Sequence, residues 1–117
     1  MMRTIKIKRV YEAPAKADGY RVLIDRVWPR GITKGGAAVD EWRKEIAPST
    51  PLRKWFGHDP ERWKEFQRRY RDELKHNEAV TQFIDAHQST SVMTLVYGAK
   101  DEAHNHALVL QQYLADR

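Results

Sequence analysis

The sequence predicts an α/β fold: a small, mainly parallel sheet of about four strands flanked by helices, in a single domain over residues 1–117. Three observations carry this prediction. Val22, Leu23 and Ile24 form a continuous apolar run with two β-branched members, and Ser91–Tyr97 forms another, as expected of strands covered on both faces. The segment between them has helical periodicity and is long enough for the crossover that parallel neighbours need. A last stretch, from about Asp101 to Ala115, carries Ala103, Ala107, Leu110 and Leu114 at helical spacing.

In chain order, Thr4–Val10 alternates, with Ile5 and Ile7 on one face and Thr4, Lys6 and Lys8 on the other, which predicts a half-buried strand. The connection Tyr11–Gly19 is too short for a full helical crossover, so the residues leave the first two strands either antiparallel or parallel with a truncated helix between them. Tyr20–Gly31 starts as the buried strand and exits through Asp25, Arg26, Trp28 and Arg30, with Pro29 and Gly31 ending it. Ile32–Ala38, with Gly35 and Gly36, reads as a mobile loop, and Val39–Ala47 as a short strand closed by Pro48. Ser49 caps a helix with Pro51 in its first turn, Leu52, Trp55 and Phe56 inward, and Gly57 at its end. Asp59-Pro60-Glu61 opens the clearest helix, with Trp63, Phe66, Tyr70 and Leu74 along its inner face. Asn77 interrupts it, and a further helix carries Val80, Phe83 and Ile84.

Composition narrows the classes of function. Cysteine is absent, which removes disulfides, thiolate zinc ligands and a thiol nucleophile. No apolar run approaches the roughly 18 residues of a membrane helix, and the chain reads as cytoplasmic, without a membrane partner. The net charge of +5 is compatible with phosphate or nucleic-acid partners but is also common among small domains without them. No phosphate loop, dinucleotide fingerprint or serine nucleophile elbow is present, and no cofactor is called for.

If the two buried strands are parallel neighbours, their C-terminal ends open into one crevice, where open α/β sheets place ligands. The first strand brings Asp25, Arg26, Trp28 and Arg30; the second brings Tyr97, Gly98, Lys100 and Asp101, followed by His104, Asn105 and His106 at the start of the last helix. Arginines at a helix N-terminus suit an anion or phosphate. Asp25 reads as the partner of Arg26, Arg21 or Arg30, and Trp28 as a residue that shapes the turn or stacks on a ligand. His104 and His106, two apart on a helix, face nearly opposite sides, so no metal site is expected; one of them donates to an anion or shuttles a proton. His58 belongs to a capping turn. Lys64, Arg68, Arg71 and Lys75 line one face of the helix over 60–76, either as a nucleic-acid stripe or as a solvated face softened by Glu61, Glu65 and Asp72.

These residues resemble a known family. The matching stretches are Lys8–Tyr11, Gly19–Lys34, Ile46–Ser49, Leu52–Phe56, His58–Pro60 with Arg62-Trp63, Phe66 and Arg69-Tyr70, then Leu95–Asp101 and His104–Ala107. Over nearly its whole length the chain resembles the YeaO-like group of the domain-of-unknown-function 488 family; Asp-Arg-x-Trp-Pro-Arg-Gly and His-Asn-His-Ala are its most specific pieces. The resemblance implies a small α/β domain with a parallel first pair of strands and carries over no activity. It places Asp25, Arg26, Pro29 and Arg30 on the wider family's first loop motif. The loop up to His104 falls on a second motif that elsewhere contains cysteine, so thiol chemistry does not transfer here.

The expected function is binding of a phosphorylated or anionic ligand, a nucleotide or nucleic-acid end, by Arg26, Trp28, Arg30, Tyr97, Gly98, Lys100, His104 and His106. Two alternatives stand beside it: a small hydrolase or phosphoryl-transfer enzyme using Asp25 and His104, and a nucleic-acid-binding module using the basic helix.

Overall fold

The computed structural model describes residues 4–117. Strands β1 (Thr4–Arg9), β2 (Tyr20–Leu23), β3 (Glu41–Trp42) and β4 (Val92–Tyr97) form one sheet in the order β1-β4-β2-β3. Every neighbouring pair is parallel. The helices are α1 (Lys34–Ala37), α2 (Thr50–Phe56), α3 (Trp63–Lys75), α4 (Glu78–Ala86) and α5 (His106–Ala115). The protein is thus the small parallel α/β fold that the apolar runs predict, with the two buried strands β2 and β4 adjacent at its centre.

Successive strand residues face opposite sides of a sheet, and here the two sides are unequal. Val22, Ile24, Met93, Leu95 and Tyr97 point into the main core with Phe56, Phe66, Tyr70, Phe83 and Leu110 from the helices. Leu23 and Val96 point the other way, into a small core with Val10 and Ala37, covered by Trp28, Ile32 and Val39. β1 and β2 run parallel but are not neighbours, because β4 inserts between them. Their connection contains only a 3-10 turn, Lys16–Asp18. Gly19 lets it cross the start of β4: its φ is +65°, and a Cβ there would lie 2.4 Å from the Val92 carbonyl oxygen. The polar face of β1 is covered by this connection, with Lys6 donating to Ala17 and Lys8 to Ala13 and Asp18.

Three local expectations need correction. Ile32–Ala38 is not an unstructured loop: Thr33 Oγ1 accepts from Gly36 N–H at 2.9 Å and caps one helical turn, overriding the two glycines. Val39–Ala47 is a strand only at Glu41–Trp42 and then turns into a 3-10 segment, Lys44–Ile46. The last helix begins at His106 rather than Asp101. Asp101 accepts from the N–H groups of Ala103 and His104 in a separate turn, and Asn105, in extended conformation, caps the helix by accepting from Leu108 N–H. Ala103 is therefore exposed, and the helix buries Ala107, Val109, Leu110, Tyr113 and Leu114. The other caps stand as read: Ser49 accepts from Leu52 N–H, Asp59 from Glu61 N–H, and Gly57 closes α2 in the left-handed region; Asn77, which interrupts the helical run, also caps α4 by accepting from Ala79 N–H. Among the described residues no helix is long and apolar enough to cross a membrane.

Candidate functional site

A cavity of about 360 Å³ opens beyond the C-terminal ends of β2 and β4, between the exit of β2, the segment before α2, and the start of α5. Its floor is built from main-chain ends. Asp25 follows β2 and turns its carboxylate toward Gly98, which follows β4: Gly98 N–H donates to Asp25 Oδ2 at 2.9 Å. A Cβ at position 98 would stand 2.9 Å from that oxygen. Gly98, which the sequence places among the expected ligand-binding residues, is closely approached by Asp25.

His106, the first residue of α5, brings Nε2 to 3.0 Å from the Ile24 carbonyl oxygen and 3.1 Å from Asp25 Oδ1. Both neighbours are acceptors, so Nε2 carries a hydrogen. Asp25 Oδ1 is shut off from solvent and, although close to Nε2, is out of line for a hydrogen bond with it. The histidine beside Asp25 is therefore His106. His104 does not line the cavity. Its Nδ1 sits 2.9 Å from Asp101 Oδ2 and its ring stands edge-on to Trp63 at 5.4 Å. The hydrogen bond from His104 also draws the Asp101 carboxyl below the ordinary aspartate range.

One wall is pinned by side chains reaching main-chain carbonyls. Arg26 Nε donates to Pro48 O at 3.0 Å and Nη2 to Ala47 O at 3.1 Å, while the buried Tyr70 hydroxyl donates to Ile46 O at 2.6 Å. Three consecutive carbonyls are thus satisfied from two different elements. Burial raises the Tyr70 hydroxyl well above its ordinary pKa, which keeps it a donor. Glu73 accepts from both Ser49 N–H and Ser49 Oγ, holding the next residue as well. Arg26 lines the cavity, but at least two of its N–H groups serve structure.

The rim differs. Arg30 and Arg53 both line the cavity and are exposed, and among the described residues no side chain or carbonyl pairs with either guanidinium. His58, also exposed on the rim, has a φ of +57°, an unusual conformation for a residue with a side chain. The apolar lining is aromatic: Phe56 and Phe66 stack at 4.2 Å, and Trp28 donates from Nε1 to Ile32 O at 2.8 Å while meeting Trp42 edge-on at 5.3 Å. Trp28 both shapes the turn and faces the cavity. Tyr11 donates its hydroxyl to the Arg30 carbonyl.

Of the residues singled out from sequence, the cavity brings together Asp25, Arg26, Trp28, Arg30, Gly98 and His106. Tyr97, Lys100 and His104 are not in its wall. Tyr97 is buried in the main core and Lys100 is exposed. The pairing expected between Asp25 and an arginine is absent: Arg21 pairs with Asp18, Arg26 holds carbonyls, and Arg30 is unpaired. Arg53 was missed. It precedes Phe56 by three residues, so the two share a face of α2, but the aromatic spacing there is already accounted for by packing. On the basic helix, Arg68 and Arg69 both engage Glu65, and Arg71 donates to Gln112.

The fold and cavity define a small parallel α/β protein with a strand-end pocket. The chain belongs to the DUF488-N3i family, described as the inactive DUF488-N3 subclade, whose model matches residues 4–117. It is 44% identical over 110 residues to uncharacterized protein YeaO of Escherichia coli K12, covering 94% of this chain and 96% of that protein. It is 43% identical over 113 residues to uncharacterized protein Rv3073c of Mycobacterium tuberculosis H37Rv, covering 97% and 95%. Uncharacterized protein Mb3100c of Mycobacterium bovis matches to the same extent. No solved structure matches.

Proposed function

We propose that this cavity binds a phosphorylated or otherwise anionic small molecule in the cytoplasm, with a nucleotide or the phosphorylated end of a nucleic-acid strand as the favoured class. One observation carries the reading: two guanidiniums that have no protein partner among the described residues, Arg30 and Arg53, border the same aromatic-lined cavity. An arginine fork left open suits bidentate contact with phosphate or carboxylate. A volume of about 360 Å³ is in the range of small-molecule sites and larger than a bare anion needs. Of the aromatic lining, the partly exposed Trp28 offers flat apolar surface to a ring, while Phe56 and Phe66 are buried.

A turnover role using Asp25 and His104 has less support, because His104 is bound to Asp101 outside the cavity wall. The matched family is described as inactive, which also favours binding over catalysis. The basic helix has less support as a nucleic-acid surface, since Glu65 takes two of its arginines.

The test is titration calorimetry at low salt with inorganic phosphate and adenosine 5′-monophosphate. The double variant Arg30→Ala, Arg53→Ala is expected to bind at least tenfold more weakly, while its folding stability stays within about 0.5 kcal/mol because both side chains are exposed. Absence of binding by both probes, or unchanged affinity in the double variant, overturns the reading.

A further inference from the structure

Among the described residues Asp25 is the only carboxylate in the cavity wall, set among Arg26, Arg30, Arg53, His58 and His106. We infer that Asp25 determines specificity: it requires the ligand to bring a neutral O–H or N–H donor to the floor while its anionic group stays at the arginine rim. This rests on the reading of the cavity as an anion site and gives that site a direction.

The geometry supports it in three steps. First, the charge of Asp25 is not cancelled by a contact with its arginine neighbours, since Arg26 donates to Ala47 and Pro48 and Arg21 to Asp18. A ligand phosphate placed against the floor would meet an acceptor rather than a donor. Second, a carboxylate has about four acceptor positions. Gly98 N–H fills one, and His106 Nε2 lies near another while bonded to Ile24 O. With Oδ1 sealed, ligand contact falls to Oδ2, and Asp25 keeps 18% of its side chain exposed where it lines the cavity. Third, the floor is rigid. Gly98 and the start of α5 fix the carboxylate from one side, and the pinned Ile46–Pro48 wall stands opposite, so the acceptor does not swing away to suit a ligand that lacks a donor. Sites built around a fixed buried acceptor discriminate strongly against analogues that leave it unpaired. A phosphorylated nucleoside meets both demands, with phosphate at one end and ribose hydroxyls or an exocyclic amine at the other.

The experiment keeps the wild-type protein and changes the ligand. Calorimetry compares adenosine 5′-monophosphate with its 2′,3′-dideoxy analogue, which lacks the ribose hydroxyls, and with purine riboside 5′-monophosphate, which lacks the amine; inorganic phosphate is the fourth probe. At least one donor-deleted analogue is expected to bind tenfold or more weakly than the parent nucleotide. In Asp25→Ala, which leaves no side-chain acceptor on the floor and is checked for folding by circular dichroism, that ratio is expected to fall below threefold. If both analogues bind the wild type within threefold of the parent, or if inorganic phosphate binds as tightly as the nucleotide, Asp25 reads no donor and the inference is overturned, while anion binding stands. If no probe binds, the anion site itself fails and this inference with it. A 5′-phosphorylated oligoadenylate run in parallel distinguishes a strand end, which then binds at least as tightly as the free nucleotide, from a free nucleotide, which then binds more tightly. Either result upholds the inference when the donor dependence is seen.

Discussion

Two aspartates flank β2, and they are treated in opposite ways. Asp18, just before the strand, is buried and accepts from Ala15 N–H at 2.9 Å, Arg21 Nη1 at 2.6 Å and Lys8 Nζ at 3.0 Å. Arg21 in turn is buried and donates from Nε to the Ala38 carbonyl and from Nη2 to the Ala37 carbonyl. Asp25, just past the strand, accepts one backbone N–H and leaves Oδ1 without a hydrogen bond. The end of the sheet where the buried charges of Asp18 and Arg21 are matched holds the connection, β1 and α1 together. The end with the cavity carries a part-buried carboxylate with one oxygen outside any hydrogen bond and, among the described residues, two exposed guanidiniums without a protein partner. Buried polar groups are satisfied where stability demands it; exposed ones are free to meet a ligand, which is the role proposed for this end.

The sharpest way to break this comparison is at Asp18. Asp18→Asn strips the buried Arg21 of its counter-charge, and breaking a buried pair from one side costs about 3–5 kcal/mol. Urea denaturation at pH 7 is expected to show that loss as a lower midpoint with an unchanged slope. The pH dependence gives a second check. Burial raises the Asp18 carboxyl, but the Ala15 N–H and the hydrogen bonds from Lys8 and Arg21 outweigh it and hold the group below the ordinary aspartate range. A lowered folded-state pKa means a contribution fully present above the unfolded value of about 3.9 and lost as pH falls through the folded one. Wild type is therefore expected to lose stability more steeply than Asp18→Asn as pH falls below about 4. Parallel acid profiles would show that Asp18 gains nothing from its partners.

Gly98→Ala acts at the other end and is smaller. The added methyl meets Asp25 Oδ2 at 2.9 Å and Pro29 Cβ at 3.5 Å. Overpacking of this kind costs about 1–3 kcal/mol. The Asp25 carboxylate has to shift, so nucleotide affinity is expected to fall in the same variant, measured by calorimetry beside the denaturation curve. A full loss of stability with intact binding would place Gly98 in the scaffold alone.

How much of this contrast could be read from residues follows from its range. The exit of β2 was legible because Asp25, Arg26, Trp28 and Arg30 crowd one short stretch after an apolar run, and a polar strand end is a local signal. The adjacency of β2 and β4 was legible for a similar reason, since each run is apolar on both faces and only a central position covers both. Arg26 was misjudged because the carbonyls it holds, at Ala47 and Pro48, come from more than twenty positions away in sequence. The choice between His104 and His106 turned on which residue caps α5. Asp101 and Asn105 are both good caps, and local sequence cannot rank them; the four-residue difference moved His104 off the helix and placed His106 on Ile24 and Asp25. Arg53 stayed hidden because the aromatic residues beside it account for α2 as a packing helix.

The smallest expected effect is the most informative about Asp25. Asp25→Asn keeps an oxygen that can accept from Gly98 N–H, and the hydrogen on His106 Nε2 retains the Ile24 carbonyl at 3.0 Å. The amide nitrogen then takes the place of Oδ1, which made no hydrogen bond, and turns its N–H groups toward the hydrogen on His106 Nε2. No buried arginine loses its counter-charge, unlike Arg21 in the Asp18 variant. The stability loss at pH 7 is therefore expected at about 1 kcal/mol, the low end of the cost of a buried unpaired donor. Guanidinium denaturation of the two asparagine variants side by side measures the difference directly. Equal losses would mean that Asp25 is as structural as Asp18; a stable Asp25→Asn protein would show that the strand end does not need the negative charge of Asp25 in order to fold.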